Sequence, residues 1–530
     1  MWLLLSLVIL LGGGLRTWGV DKVPPELFGD ELDVGYQAYS LLHTGKDILG
    51  QAIPAYIHSL SEWRAPLLMY ATVPSVATLG LNEWGVRTPE IVFGILTIPI
   101  LFLLTYHTTR SKAISLFTCL ALVFTPWHIY YSRAAFEAVL MIDLILLATL
   151  LFLKRRFILA SLLFALSMYT YSTAVLFVPL WLVILWRLTK NWPGWKVVLL
   201  FSLVLAPLTY HVIAGPARDR FGSLSITHDE EAMKEMLAKR AQDPSLLGRV
   251  FNNRYEVILN LFLKNYLHSF STVFLFIKGD PIYRHSIQTT GQLLPVLFPF
   301  VIIGLFGLAK KKHWVWWWWM ALAPIPASLT VDGGYHATRL FLLMPPLIVA
   351  AGAGLTQVWE LRKWLGVLAL LAIVAVFTQN AYVYAVYYRA NSWRWWHVGY
   401  ESAIKKLAVL APGYDRVFIN NTYEPALIRF LFWSGYPPDK FHSQFTSDQS
   451  QVDIMPNFDG FTLDGKYFLG KFNQKDWIRF IQPGSLYLIS QRDDVGGDWD
   501  WRKTPPDEIK VLHTAVNLYD EPILYLVTRR

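Results

Sequence analysis

Runs of about twenty apolar residues recur along this chain, and each is long enough to cross the hydrocarbon core of a bilayer as a helix. They lie near 1–20, 88–108, 112–130, 136–153, 157–172, 174–188, 195–213, 291–309, 314–330, 339–358 and 364–386, and the runs at 157–172 and 174–188 nearly fuse. Hydrophobic residues make up 54% of the 530 positions and charged residues 16%, whereas a soluble domain carries about 25% charged residues. The pattern predicts a mainly α, polytopic bundle of about eleven spans. The net charge of +9 does not point to nucleic acid, because the basic residues gather in short loops between spans. The only cysteine, Cys119, lies inside an apolar run, so no intrachain disulfide can form. The N-terminal run lacks a basic leader and a small-residue cleavage site and is expected to remain as an anchor.

Arg110 and Lys112, then Lys154-Arg155-Arg156, then Arg187, Lys190 and Lys196, then Lys310-Lys311-Lys312, then Arg362-Lys363 occupy every second loop. Basic loops stay in the cytoplasm. This places the N-terminus inside and the tail from about residue 390 outside, in a multi-pass protein of the cell membrane. The tryptophan run at Trp314 and Trp316 to Trp319 is expected to be an interfacial belt. Segments 21–87, 214–290 and 390–530 are expected outside. In the first, the apolar stretch from Pro66 to Leu81, interrupted by Pro74, suits helices lying on the membrane. The second holds an amphipathic helix near 229–241. In the third, alternating runs at Arg416–Asn420, Lys466–Phe472, Leu486–Ser490, Ile509–His513 and Ile523–Thr528, with a helix at Pro425–Trp433, predict a small α/β domain. The expected division is 1–389 as membrane module and 390–530 as extracytoplasmic domain.

The first outer segment opens with Phe28-Gly29-Asp30-Glu31. Carboxylates at a membrane face are costly and tend to be functional, although an acidic pair before an apolar turn also suits a helix start. Basic and polar residues recur at the other outer span ends: Arg64, Arg87, Arg133 and Glu137 in Ser132-Arg133-Ala134-Ala135-Phe136-Glu137, Arg284 and His285, and His336 with Arg339 in His336-Ala337-Thr338-Arg339. The positive-inside bias makes outer arginines less expected, and the guanidinium fork suits phosphate.

These segments resemble the C-type glycosyltransferase superfamily (GT-C), in particular its family-39 protein O-mannosyltransferases and aminoarabinose transferases. The likeness also rests on Tyr36 to Gly50 with Thr44-Gly45-Lys46-Asp47, Ala65-Pro66-Leu67 to Tyr70, Glu83 to Pro89, and Pro345-Pro346, and covers roughly residues 20–360. It implies the GT-C architecture and transfer of a sugar, mannose or a similar hexose, from a polyprenyl-phosphate donor to an acceptor at the outer face, with inversion. Asp30 would be the general base and Glu31 would position it. Arg133, Arg64, Arg339 and Arg284 would hold the donor phosphate, and Tyr36, His336, Glu137 and Trp396 would contact substrate. Trp396 lies in Trp393-Arg394-Trp395-Trp396-His397-Val398-Gly399-Tyr400, which departs from the Trp-Trp-Asp-Tyr-Gly element of oligosaccharyltransferases because His397 replaces the aspartate.

No cofactor is expected, and no His/Cys cluster has zinc spacing; a divalent ion at Asp30, Glu31 and Asp33 is an alternative. The expected partners are the lipid-linked donor, the bilayer, and a protein, lipid or cell-wall glycan acceptor. A flippase or transporter for a lipid-linked sugar is the competing reading. It calls for ionisable residues near the bilayer midplane, where Asp143 is the main acid that the sequence offers.

Overall fold

A computed structural model describes residues 2–60, 62–215, 224–421, 425–445, 452–455, 458–472 and 477–530. The chain is mainly helical. Each of the eleven apolar runs is helical over most of its length: Trp2–Thr17, Glu83–Thr109, Lys112–Val123 with Pro126–Tyr131, Ala138–Leu153, Phe157–Met168, Ser172–Thr189, Trp195–Ile213, Phe298–Lys310, Trp314–Leu322 with Ile325–Ser328, Met344–Leu361 and Lys363–Val386. Among the described residues, five helices are long and apolar enough to cross a membrane by themselves: Glu83–Thr109, Ser172–Thr189, Trp195–Ile213, Phe341–Leu361 and Lys363–Val386.

Local chemistry explains several boundaries. Ser111 caps its helix by accepting the Ile114 N–H at 3.2 Å. The run expected at 112–130 breaks at Phe124 and Thr125, because Pro126 disfavours helical geometry in the residue before it and then opens the next helix. The nearly fused pair separates at residues 169–171. Pro74, read from sequence as an interruption, instead lies inside the continuous helix Leu67–Leu79.

The chain divides into two compact units, one of residues 1–18, 62–68 and 89–384, the other of 19–61, 69–88 and 385–530. The first is the helical unit. Besides the apolar helices it contains strand β2 (Glu62–Arg64), the amphipathic helix Glu230–Gln242 and an unanticipated helix, Arg254–His268. The start of the outer segment 214–290 lies outside the described residues at 216–223.

The second unit contains helix Gly29–Thr44, strand β1 (Ile57–Ser59) and the C-terminal α/β fold. Its strands are β3 (Arg416–Asn420), β4 (Val452–Met455), β5 (Phe458–Leu463), β6 (Tyr467–Phe472), β7 (Ser485–Ser490), β8 (Ile509–Val516) and β9 (Pro522–Arg529). They form one sheet in the order β4-β5-β6-β3-β7-β9-β8. β3 runs parallel to β6 and β7, with Phe418 opposite Phe468 and Tyr487; the remaining neighbours are antiparallel. Phe418, Phe458, Trp477, Tyr487, Trp501 and Tyr525 are the large side chains of its core. The helix Ala426–Ser434 carries an apolar face towards helix Gly29–Thr44. Gly35 sits at that contact, where an added Cβ would lie 2.5 Å from the Phe432 ring and 2.6 Å from Val86.

Candidate functional site

The acidic pair falls in the first turn of helix Gly29–Thr44, after Phe28 as N-cap. Negative charge there favours a helix start. The two carboxylates have different surroundings. Glu31 is fully buried; Arg87 donates to it from Nε and Nη2, both at 2.9 Å. The same guanidinium donates to the carbonyls of Val20 at 2.7 Å, Pro24 at 3.1 Å and Glu26 at 2.8 Å. One arginine therefore closes the loop ahead of the helix and fixes its third residue. Asp30, one position earlier, is only partly buried.

A second layer holds this turn. Trp396 is fully buried, meets Phe28 edge-on at 5.4 Å, lies 5.7 Å from the Arg87 guanidinium and donates from Nε1 to Tyr388 Oη at 2.9 Å. Glu26 accepts the N–H groups of Gly399 at 2.7 Å and Glu401 at 2.6 Å, tying residues 19–28 to the start of helix Tyr400–Leu410. Burial pushes the Glu26 carboxyl up to about 8, against the pull of those two N–H groups. Arg429, absent from the expected site, is buried beside Gly29. It faces His397 Nδ1 at 2.5 Å and the Tyr400 ring at 4.9 Å. The signal available in sequence was a lone arginine in the otherwise apolar Ala426-Leu427-Ile428-Arg429-Phe430-Leu431-Phe432.

Tyr36 is buried too, and its hydroxyl donates to the Tyr436 carbonyl at 2.7 Å. In the Thr44-Gly45-Lys46-Asp47 stretch, Gly45 is the left-handed C-cap of the helix. Asp47 accepts Leu49 N–H at 3.0 Å and Gln51 N–H at 2.8 Å. Those two residue types have a local structural explanation.

The helical unit gathers the other expected residues. Arg64 and Glu137, both buried, form an ion pair at 3.7 Å. Glu137 has φ 60°, an uncommon conformation for a residue with a side chain, and it ends the Ser132–Glu137 turn ahead of helix Ala138–Leu153. Arg133 is buried, donates to the Leu15 carbonyl at 3.1 Å and lies 5.6 Å from the Tyr384 ring.

Two loops meet beside this turn: Asp280 accepts the Ala337 N–H at 2.8 Å. Burial lifts the Asp280 carboxyl to about 6. Tyr131 Oη lies 3.0 Å from His285 Nδ1 and 2.8 Å from Thr338 Oγ1. The rings of Phe136 and His336 each lie 5.1 Å from that of His285. Burial, with Arg339 next, holds His336 down to about 3; His285 is also well below the usual range, from burial and then His336, Arg284 and Arg339. Both imidazoles are therefore neutral at pH 7, and the formal charge beside them comes from Arg284, Arg339 and the Asp280 carboxylate. Arg339 donates to Thr330 Oγ1 at 2.9 Å and to the Val331 carbonyl at 2.6 Å.

A third group lies deeper among the helices. Arg16 is fully buried, donates to the Gly12 carbonyl at 2.9 Å and lies 2.6 Å from His128 Nδ1; His128 Nε2 lies 3.1 Å from Thr97 Oγ1. Asp143 is buried beside Thr97 and within electrostatic reach of Arg16. Glu90 is fully buried near the first-turn N–H groups of Val139 and Leu140. Sequence reasoning named Asp143 and missed Arg16, Glu90 and His128. Each is a single polar residue in or beside an apolar run.

Asp30, Glu31, Tyr36 and Trp396 belong to one unit; Arg64, Arg133, Glu137, Arg284, His336 and Arg339 belong to the other. Among the described residues, no group of three or more His, Cys, Asp or Glu side chains could hold a metal ion.

No family model matches this sequence, and no curated protein matches it. Among solved structures, the chain is similar to the Archaeoglobus fulgidus oligosaccharyltransferase in its apo form, with 11% identity, coverage of 82% of this chain and 63% of that one, and a TM-score of 0.49. It is also similar to the archaeal oligosaccharyltransferase AglB from the same organism, in complex with an inhibitory peptide and a dolichol-phosphate. There the identity is 12%, the coverage 82% and 63%, and the TM-score 0.47. The chain thus spans 63% of the length of each of these structures.

Proposed function

We propose that this protein is a membrane glycosyltransferase that moves a sugar, mannose or a similar hexose, from a polyprenyl-phosphate donor to an acceptor at the outer membrane face. The observation that carries the reading is the contrast within the acidic pair. Glu31 is locked by two hydrogen bonds from Arg87, and this holds the partly buried Asp30 in a defined first-turn position. A carboxylate positioned by its neighbour suits general-base work. In the proposed step, Asp30 takes the acceptor proton as the acceptor atom bonds to the anomeric carbon. The bond from that carbon to the phosphate oxygen breaks with inversion, and polyprenyl phosphate leaves with the electron pair.

Arg133, Arg64, Arg339 and Arg284 are the proposed donors to the departing phosphate, with the neutral His336 and the Glu137 carboxylate as substrate contacts. Trp396 and Tyr36 take positioning roles in this reading, because both are buried and hydrogen-bonded. No cofactor or metal is assigned. The acceptor is a protein, lipid or glycan, and the N-terminus is assigned to the cytoplasm.

A second reading, translocation of the lipid-linked sugar without cleavage, is favoured by Arg16, Glu90, His128 and Asp143, which are buried among apolar helices as a transporter requires. One experiment separates the two. Purified protein in nanodiscs is supplied with polyprenyl-phosphate mannose, glucose and aminoarabinose, beside the Asp30→Asn variant. Release of polyprenyl phosphate by wild type and not by the variant supports the transferase. Donor binding and movement across proteoliposomes without release supports translocation.

A further inference from the structure

We propose that the C-terminal domain carries a separate cleft for an uncharged oligosaccharide. The cleft has a volume of about 490 Å³ and is lined by the turn after β7, the β8–β9 connection and the Trp393-Arg394 pair. Neither Asp30 nor any residue of its supporting turn lines it.

Its composition selects the ligand. Four basic and four acidic side chains line it, so it offers no net charge to a polyanion, whose binding depends on accumulated cations. Nor is it the mostly apolar cavity that suits drug-like ligands. Two indoles complete it: Trp393, and Trp499, which is 67% exposed. Indoles lining one cleft with planar carboxylate, amide and guanidinium groups match a pyranose, which has an apolar C–H face and an edge of hydroxyls that both donate and accept.

The polar groups are also set in advance. Arg502 donates to both oxygens of Asp500, at 3.0 Å from Nε and 2.8 Å from Nη2, and from Nη1 to Asp520 at 2.8 Å. Gln491 donates to the Gly497 carbonyl at 3.0 Å. Gly496 and Gly497 both have positive φ, at 70° and 57°, and turn the chain that presents Trp499. A site fixed before binding spends less on ordering when a weakly held sugar arrives. Trp499 could instead anchor the domain in the bilayer interface, but the four carboxylates beside it make burial against lipid costly.

The cleft is tested by saturation-transfer NMR on the full-length protein in nanodiscs, with mannotetraose, cellotetraose and chitotetraose as probes and a heparin tetrasaccharide as the anionic comparison. At least one neutral tetrasaccharide should take up saturation and the heparin fragment should not. Trp499→Ala should weaken binding at least tenfold, and Gln491→Ala, which leaves the Asp500–Arg502–Asp520 clamp in place, should weaken it less. Binding should persist in Asp30→Asn, so it stands apart from the transfer reading. Failure of all three neutral probes, or wild-type binding in both cleft variants, would overturn the proposal. So would a spin label introduced by Trp499→Cys that reports bilayer depth.

Discussion

Arg87 does five things with one guanidinium: it grips both oxygens of Glu31 and closes three loop carbonyls. Breaking a buried ion pair by removing one partner typically costs about 3–5 kcal/mol, because the other charge keeps its desolvation penalty. Arg87→Ala should therefore lower thermal stability strongly. Arg87→Lys should recover only part of it, since an ammonium cannot reproduce the fork; unfolding followed in detergent decides this. Asp30 is partly exposed, and Asp30→Asn should leave the melting temperature nearly unchanged while lowering transfer by about 10²–10⁴-fold, the usual worth of a general base. A turnover number within a few-fold of wild type would remove Asp30 from the chemistry.

Helix Gly29–Thr44 is where element packing and the candidate chemistry meet. Gly35 allows Phe432 and Val86 to approach its backbone, so Gly35→Val should cost about 1–3 kcal/mol from overpacking and displace Asp30 with the helix. Reduced stability together with reduced turnover is the expected result. Glu26 sets a pH dependence. Its carboxyl sits near 8 when folded and about 4.3 when unfolded. Between those values unfolding releases a proton, so stability falls as pH rises, by about 1.4 kcal/mol per pH unit within the window. Its full stabilisation is present below about pH 4 and is lost as pH passes about 8. Melting curves of Glu26→Gln should be flatter across that range.

The elements also show what was legible. Apolar runs, basic loops and alternating strands exposed the eleven helical stretches and five of the seven C-terminal strands among the described residues. β5 escaped because Asp459 and Gly460 lower its strand propensity, while pairing with β6 overrides that preference. At the site, Asp30, Glu31 and the arginines were legible as residue types at span ends. The Glu31–Arg87 pair and the Arg429 placement were not, since each joins positions far apart in sequence. Tyr36 was legible as an aromatic near the acidic motif, whereas its hydrogen bond to the Tyr436 carbonyl, 400 positions away, was not.

At the scale of the whole molecule, charge placement makes a claim about sides. The five basic loops should share one face of the membrane, and the C-terminal domain should occupy the other. The chain suits a direct test because its single cysteine is Cys119, which is fully buried with its thiol donating to the Ile98 carbonyl at 3.3 Å. Unmodified protein should therefore resist a membrane-impermeant maleimide in intact cells. Arg156→Cys and Lys311→Cys add one thiol each on the basic side and should be labelled only after permeabilisation. Asp498→Cys should be labelled in intact cells. Labelling of all three from one side would refute the assignment of sides and remove the ground for an acceptor approaching Asp30 from outside. Labelling in the expected pattern would put the C-terminal domain on the non-cytoplasmic face. It would also leave Arg16, Glu90 and Asp143 as ionisable groups held among helices that cross between the two faces, in a unit whose buried arginines, Arg16, Arg64 and Arg133, stand with four buried carboxyl groups, Glu90, Glu137, Asp143 and Asp280. Removing one buried carboxyl, as in Asp143→Asn, therefore shifts the balance of this buried set towards its arginines.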